Sequence, residues 1–261
     1  AALLAGFIAK IPHLFGVSEE FFYPRNIGFI FLPLLTAWFA WKNKLQPKRI
    51  FLIGGIFLIS LLYINLLPSS PPQSDVFILV CIHLPLLLWM LSGSAFVGPN
   101  LSNPHKRLDF LSFNGDLIVM TGLIIIAGGI MTGITIGLFS IIGFDIEEFY
   151  FRNVVIFGLP AAPIIGTYLV QSNPQLVSKV SPVIARIFSP LVLIMLVIYL
   201  GAMLFSGRDP YNDRDFLLVF NLLLIGVMAI IFFSVAGTTR NDITKPEQWM
   251  LFLLSIVTII V

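Results

Sequence analysis

Apolar and polar positions do not alternate along this chain with the period of an amphipathic helix or a strand. They come in blocks. Long runs of Leu, Ile, Val and Phe are separated by short polar stretches, and the runs are long enough to cross the ~30 Å hydrocarbon core of a bilayer. The pattern predicts spans ending near Phe15, then Ile27–Trp41, Ile50–Leu67, Val76–Val97, Leu117–Ile142, Val154–Val170, Ile187–Phe205 and Phe216–Val235, with a last one from Trp249 to Val261. The expected fold is all-α: a polytopic transmembrane helical bundle of about nine spans. In this reading the first and last spans are incomplete, so the chain reads as a fragment with flanking parts missing.

Composition agrees. Hydrophobic residues make up 58% of the 261 and charged residues 11%, against about 25% charged in a soluble domain. The net charge of +2 comes without any Lys/Arg block, so nucleic acid is not an expected partner. A single cysteine, Cys81, excludes an intramolecular disulfide and a cysteine metal site. The expected partners are the lipid bilayer and either other membrane subunits or a soluble domain outside this sequence.

Charge sets the expected sidedness. The loops at 42–49, 98–116, 171–186 and 236–248 hold ten of the 15 basic residues, among them Lys42, Lys44, Lys48, Arg49, Lys106 and Arg107. The opposite loops hold Arg25, Arg152, Arg208 and Arg214, and Lys10 lies near the outer end of its span, where it can snorkel outward. By the positive-inside rule the first set is cytoplasmic. Asn26, Asp75, Asn153 and Asp215 stand just before inward-running spans, where they are expected to cap helix N-termini.

One polar phrase occurs twice: "EEFFYPRN" (19–26) and "IEEFYFRN" (146–153). At a constant offset Glu20 matches Glu147, Phe22 Phe149, Tyr23 Tyr150, Arg25 Arg152, Asn26 Asn153, Leu32 Leu159 and Pro33 Pro160. This predicts two parallel four-span repeats, related by an axis along the membrane normal. The expected organisation is a first repeat over 1–97, a cytoplasmic linker over 98–116, a second repeat over 117–237, and a cytoplasmic loop with a partial ninth span over 238–261. The phrase has two readings. It is either a boundary device of ring anchors, a helix cap and a Glu–Arg pair, or a pair of outer sites in which Arg25 and Arg152 hold a phosphate or carboxylate.

The other candidate substrate-binding residues are His83 and Asn221. His83 lies inside an apolar run, where an ionisable group is a site hypothesis by default; a neutral ring bonded to a nearby carbonyl is the plainer reading. Asn221 reads as interhelical glue or as a ligand. Pro33, Pro85, Pro160, Pro163 and Pro190 fall within or at the edges of spans, where proline kinks a helix and frees a carbonyl. "GRDPYNDRD" (207–215) reads as an internally paired loop, since it lacks the alternating acids of a calcium loop. There is no Walker A loop, G-x-S-x-G elbow or H-E-x-x-H helix. No catalytic residue, metal site or cofactor is expected.

"HLPLLLW" (83–89), "RLDFLSFNGDLIV" (107–119) and "DRDFLLVFNLLL" (213–224) resemble an uncharacterised family of bacterial inner-membrane proteins known as domain of unknown function 4153. The resemblance implies a multi-span protein of the bacterial inner membrane, and carries no activity or functional residue. Two functions remain open: a transporter or permease-like protein with a site between the repeats, and a non-transporting scaffold or sensor that anchors a soluble domain or partner subunit.

Overall fold

The computed structural model describes residues 1–68, 75–99, 101–172, 180–206, 214–236 and 245–260. The expected loop at 207–215 lies almost wholly outside these residues, as do 173–179 of the loop at 171–186 and 237–244 of that at 236–248. The described chain is all helix. In order, α1 is Ala2–Ala9, α2 Ile11–Phe15, α3 Glu19–Lys42, α4 Pro47–Leu66, α5 Asp75–Val97 and α6 Pro104–Ile141. Then α7 (Glu147–Tyr150) runs through a π-helical turn (Phe151–Val155) into α8 (Ile156–Ser172), followed by α9 (Val180–Ser206), α10 (Arg214–Ala236) and α11 (Lys245–Ile260).

Five of these helices are long and apolar enough to cross a membrane: Pro47–Leu66, Asp75–Val97, Pro104–Ile141, Glu147–Ser172 and Ile187–Phe205. Leu218–Phe232 and Gln248–Ile260 are shorter apolar helices. Large apolar side chains cover their outsides, among them Phe51, Leu52, Ile59, Leu66, Ile118 and Leu204. In water such a surface is an aggregation hazard; in lipid it is the ordinary exterior. The helix α3 is long but less apolar, because Arg25, Asn26 and Thr36 lie on it. All three are buried, so α3 is an interior helix carrying polar groups inward.

Several boundaries differ from expectation, for physical reasons. Asn26 and Asn153 do not cap helices. The helix α3 already starts at Glu19, with Ser18 ahead of it and two glutamates in the first turn, where they suit the helix dipole. Both asparagines instead turn their amides back onto the carbonyl one turn earlier, Asn26 onto Phe22 at 3.0 Å and Asn153 onto Phe149 at 2.8 Å. The helix α6 begins at Pro104, inside the stretch 98–116, with Asn103 accepting from the His105 N–H. Its first turns are amphipathic: Phe110 and Phe113 are buried while Lys106, Arg107 and Asp109 are exposed. At 1.5 Å per residue, the 38 residues of α6 reach roughly 57 Å, well beyond one bilayer core.

The chain divides into two compact units. Unit 1 is Ala1–Ile118 with Ile156–Tyr168; unit 2 is Val119–Val155 with Leu169–Val261. In unit 1, α3 packs chiefly on α5, with α4 and α1 beside it. The approach of α3 to α5 is close: a Cβ on Gly28 would lie 3.1 Å from the Leu88 side chain. Phe39, Phe96, Phe110 and Phe113 form a ring cluster with centroids 5.0 to 5.7 Å apart, which pins the start of α6 to α3 and α5. Gly93 makes room for it, since a Cβ there would meet the Phe110 ring at 2.7 Å. In unit 2, α9 is central. Its fully buried Leu196 and Tyr199 contact a core built from α6, α10 and α11, with the Phe139 and Tyr199 rings edge to face at 5.5 Å.

Candidate functional site

Buried and half-buried polar groups join α3 to its neighbours in unit 1 at three levels. Each layer joins α3 to a neighbour, and each uses residue types that apolar surroundings penalise unless they are paired.

The first layer is centred on Arg25, 5% exposed. Its guanidinium lies between the Phe21 and Phe77 rings, with the central carbon 4.0 and 4.4 Å from the two centroids. It donates to the Phe21 carbonyl at 3.1 Å and the Leu67 carbonyl at 3.4 Å. Leu67 ends α4, so the cation sits at the negative end of that helix dipole. Beside it, Asn26 and Asn65 exchange amide hydrogen bonds of 3.0 and 2.9 Å. Asn65 also donates to the Leu61 carbonyl. On the other flank the Tyr23 hydroxyl donates to Ala9 at 3.0 Å. Burial, and secondarily the charge of Glu19, hold that phenol above its usual pKa.

The second layer is a hydroxyl pair. Thr36 and Ser92 are buried with their oxygens 2.6 Å apart, and each also lies within hydrogen-bond distance of its own i−4 carbonyl, Leu32 and Leu88. The third layer closes the far ends of α3 and α5. The Asn43 amide donates to Ala95 and Phe96 at 2.9 and 2.8 Å, and Arg49 donates to Gly98 and Pro99 at 3.0 and 3.1 Å. These are the free carbonyls of the α5 C-terminus, another place where a cation is favourable. Nearby, Trp89 donates to the Asn114 side chain at 2.8 Å, tying α5 to α6.

The four candidate residues do not meet in one place within either unit. Arg25 is buried in unit 1. Arg152, its counterpart in the repeated phrase, is exposed and pairs with Glu148 at 2.6 Å along its own helical turn. The two copies of the phrase thus take different structures: one continuous α-helix containing Pro24, and one short helix with a π-helical turn. His83 is exposed on α5, its Nδ1 2.8 Å from the Leu79 carbonyl, one turn back. Asn221 is exposed on α10.

The groups that join the helices were mostly not singled out from sequence: Asn65, Thr36, Ser92, Asn43, Arg49 and the Trp89–Asn114 pair. The available signal was simple. Each is a polar residue within or at the edge of an apolar run, where an unpaired donor is costly. Among the described residues no three His, Cys, Asp or Glu side chains are grouped to hold a metal ion. No family model, curated protein or solved structure matches this chain.

Proposed function

We propose that this chain is a multi-pass membrane scaffold, which anchors a partner subunit or a soluble domain and does no chemistry of its own. The observation that supports this is the use of the polar groups between α3 and its neighbours in unit 1. Arg25, Asn26, Asn65, Thr36, Ser92 and Asn43 are bonded to one another or to main-chain carbonyls. Groups so used fix helix positions; a solute route needs groups left open to water. The same reading takes His83 as a satisfied histidine on the outer face of α5. It takes the basic loops at 42–49, 98–116, 171–186 and 236–248 as cytoplasmic, in a bacterial inner membrane.

A second reading is a transporter or permease-like protein, with nine spans in two parallel repeats and a site between the repeats. The π-helical turn at Phe151–Val155 favours it, because such turns interrupt helices at functional sites, and Pro160 and Pro163 follow within α8. Flux separates the two. The chain is reconstituted into vesicles holding a pH-sensitive dye, and currents are recorded while organic anions, organic cations, amino acids and sugars are applied. The scaffold reading expects traces matching protein-free vesicles. A saturable, protein-dependent current or proton movement for any solute would overturn it.

A further inference from the structure

We propose that one end of unit 1 is a docking surface for anionic phospholipid headgroups. The surface is built by Lys42 and Lys44 at the end of α3, Lys48 at the start of α4, and Lys106 and Arg107 at the start of α6. Named contacts bring these segments together. Asn43 is bonded to the α5 terminus, Arg49 holds Gly98 and Pro99, and the Phe39, Phe96, Phe110 and Phe113 rings fasten the start of α6 beneath them. The five cations are exposed, and the same turns of α6 also carry the exposed Asp109. Lys44, Lys48 and Lys106 pair with no carboxylate among the described residues. The other end of the unit has the opposite character, with Glu19, Glu20 and Asp75 in the first turns of α3 and α5.

The occupant follows from charge and from what borders it. A cluster of lysines next to the apolar face of a membrane helix attracts anionic headgroups. Here the border is apolar and exposed: Trp41 is 77%, Phe51 80% and Leu108 61% accessible. These side chains suit the acyl region just below a headgroup, and Lys42 lies over the Trp38 ring at 5.0 Å, as a cation does in an aromatic belt. A free phosphate would use the lysines and leave this apolar rim without a role.

Lys44 supplies an independent observation. Its φ is 48°, in the left-handed region, and it is the one non-glycine residue there among those described. The position is the turn after α3, where Leu45 bonds back to Ala40 and glycine is the favoured residue. A lysine is held there against its backbone preference, which is understandable if its side chain has work at the surface.

The inference rests on reading unit 1 as embedded in a bilayer, and the test separates the two. The full chain is reconstituted into phosphatidylcholine vesicles carrying a trace of spin-labelled phosphatidylglycerol or spin-labelled phosphatidylcholine. The motionally restricted fraction of each label is measured. A preference of about threefold to tenfold for the glycerol lipid is expected. It should fall towards unity between about 0.05 M and about 0.5 M NaCl. The variant K44G/K48Q/K106Q should lose most of it, and K44R/K48R/K106R should keep it. Lys44→Gly alone should lower the preference while raising the melting temperature, which separates lost charge from lost fold. Equal restriction of both lipids by the parent overturns the inference and leaves the membrane reading intact. So does a preference that the glutamine variant retains. Restriction of neither lipid overturns both.

Discussion

Asn26 and Asn65 each donate an amide hydrogen to the other's carbonyl oxygen, at 3.0 and 2.9 Å, across the interface of α3 and α4. The pair is reciprocal, so losing either partner leaves the other with an amide donor and a carbonyl unmatched. Interhelical hydrogen bonds in membranes average about 0.6 kcal/mol and reach about 1.7. Two in parallel on a buried residue belong in the upper part of that range. A cycle of Asn26→Ala, Asn65→Ala and the double variant, followed by unfolding in mixed micelles, should give a coupling energy of about 1 to 2 kcal/mol. Additive losses would mean that the two amides do not bond in the membrane.

The two arginines of the repeated phrase should respond differently to the same change. Arg25 is stacked between two rings and points two donors at carbonyls, a geometry that an ammonium cannot copy. Arg25→Lys is therefore expected to cost about 2 to 3 kcal/mol. Arg152 makes one exposed pair along its own turn, and exposed pairs of this kind contribute about 0.5 kcal/mol or less. Arg152→Lys should lie within that margin. Similar losses in the two variants, read from the same unfolding curves, would contradict the different surroundings described.

Gly93 tests the ring cluster. Adding one methyl there places a carbon 2.7 Å from the Phe110 ring, which is held in turn by Phe96 and Trp89. Gly93→Ala should cost about 1 to 3 kcal/mol and loosen the start of α6, seen as faster amide exchange over 104–113. Gly54 on α4 has open space around its Cβ position, so Gly54→Ala should leave stability unchanged or raise it by up to about 1 kcal/mol. A harmless Gly93→Ala would show that Phe110 does not sit where it is described.

His83 should be silent. Its Nδ1 meets the Leu79 carbonyl and its ring lies on the exposed side of α5. His83→Gln keeps a hydrogen-bonding group at the same exposed position. The variant should unfold within about 0.5 kcal/mol of the parent. A loss above about 1 kcal/mol would mean that the ring has partners beyond Leu79.

The helical class and the membrane-length runs were legible because hydropathy over 15 to 25 residues is a strong signal and needs no tertiary information. The helix starts were less so. Asn26 looks like a cap because it precedes an apolar run, but Ser18 and two glutamates stand one to two turns earlier and begin the helix there. The start of α6 was hidden for a related reason: its charged face resembles a loop until Phe110 and Phe113, three residues apart, are seen to share its other face. The site was legible only in part. Arg25 stood out as a charge beside an apolar run. Its partners could not be found, because Leu67 offers only a carbonyl and Phe77 lies in another helix at no fixed spacing. The repeated phrase showed identical letters without showing that one copy would be buried and the other exposed.

On the scaffold reading, polar groups inside unit 1 hold helices together in a dry interior. Thr36 and Ser92 test it most directly, since they form a buried pair between α3 and α5 and a thiol is close in size to either hydroxyl. Thr36→Cys, Ser92→Cys and the exposed Lys44→Cys are each made in a Cys81→Ser background and reconstituted into vesicles. A small, charged, water-soluble thiol reagent is added on both sides of the membrane. The account predicts complete labelling at position 44 and none at 36 or 92 over the same period. Labelling at 36 or 92 at a rate comparable to 44 would place water in the interior of unit 1 and contradict the account.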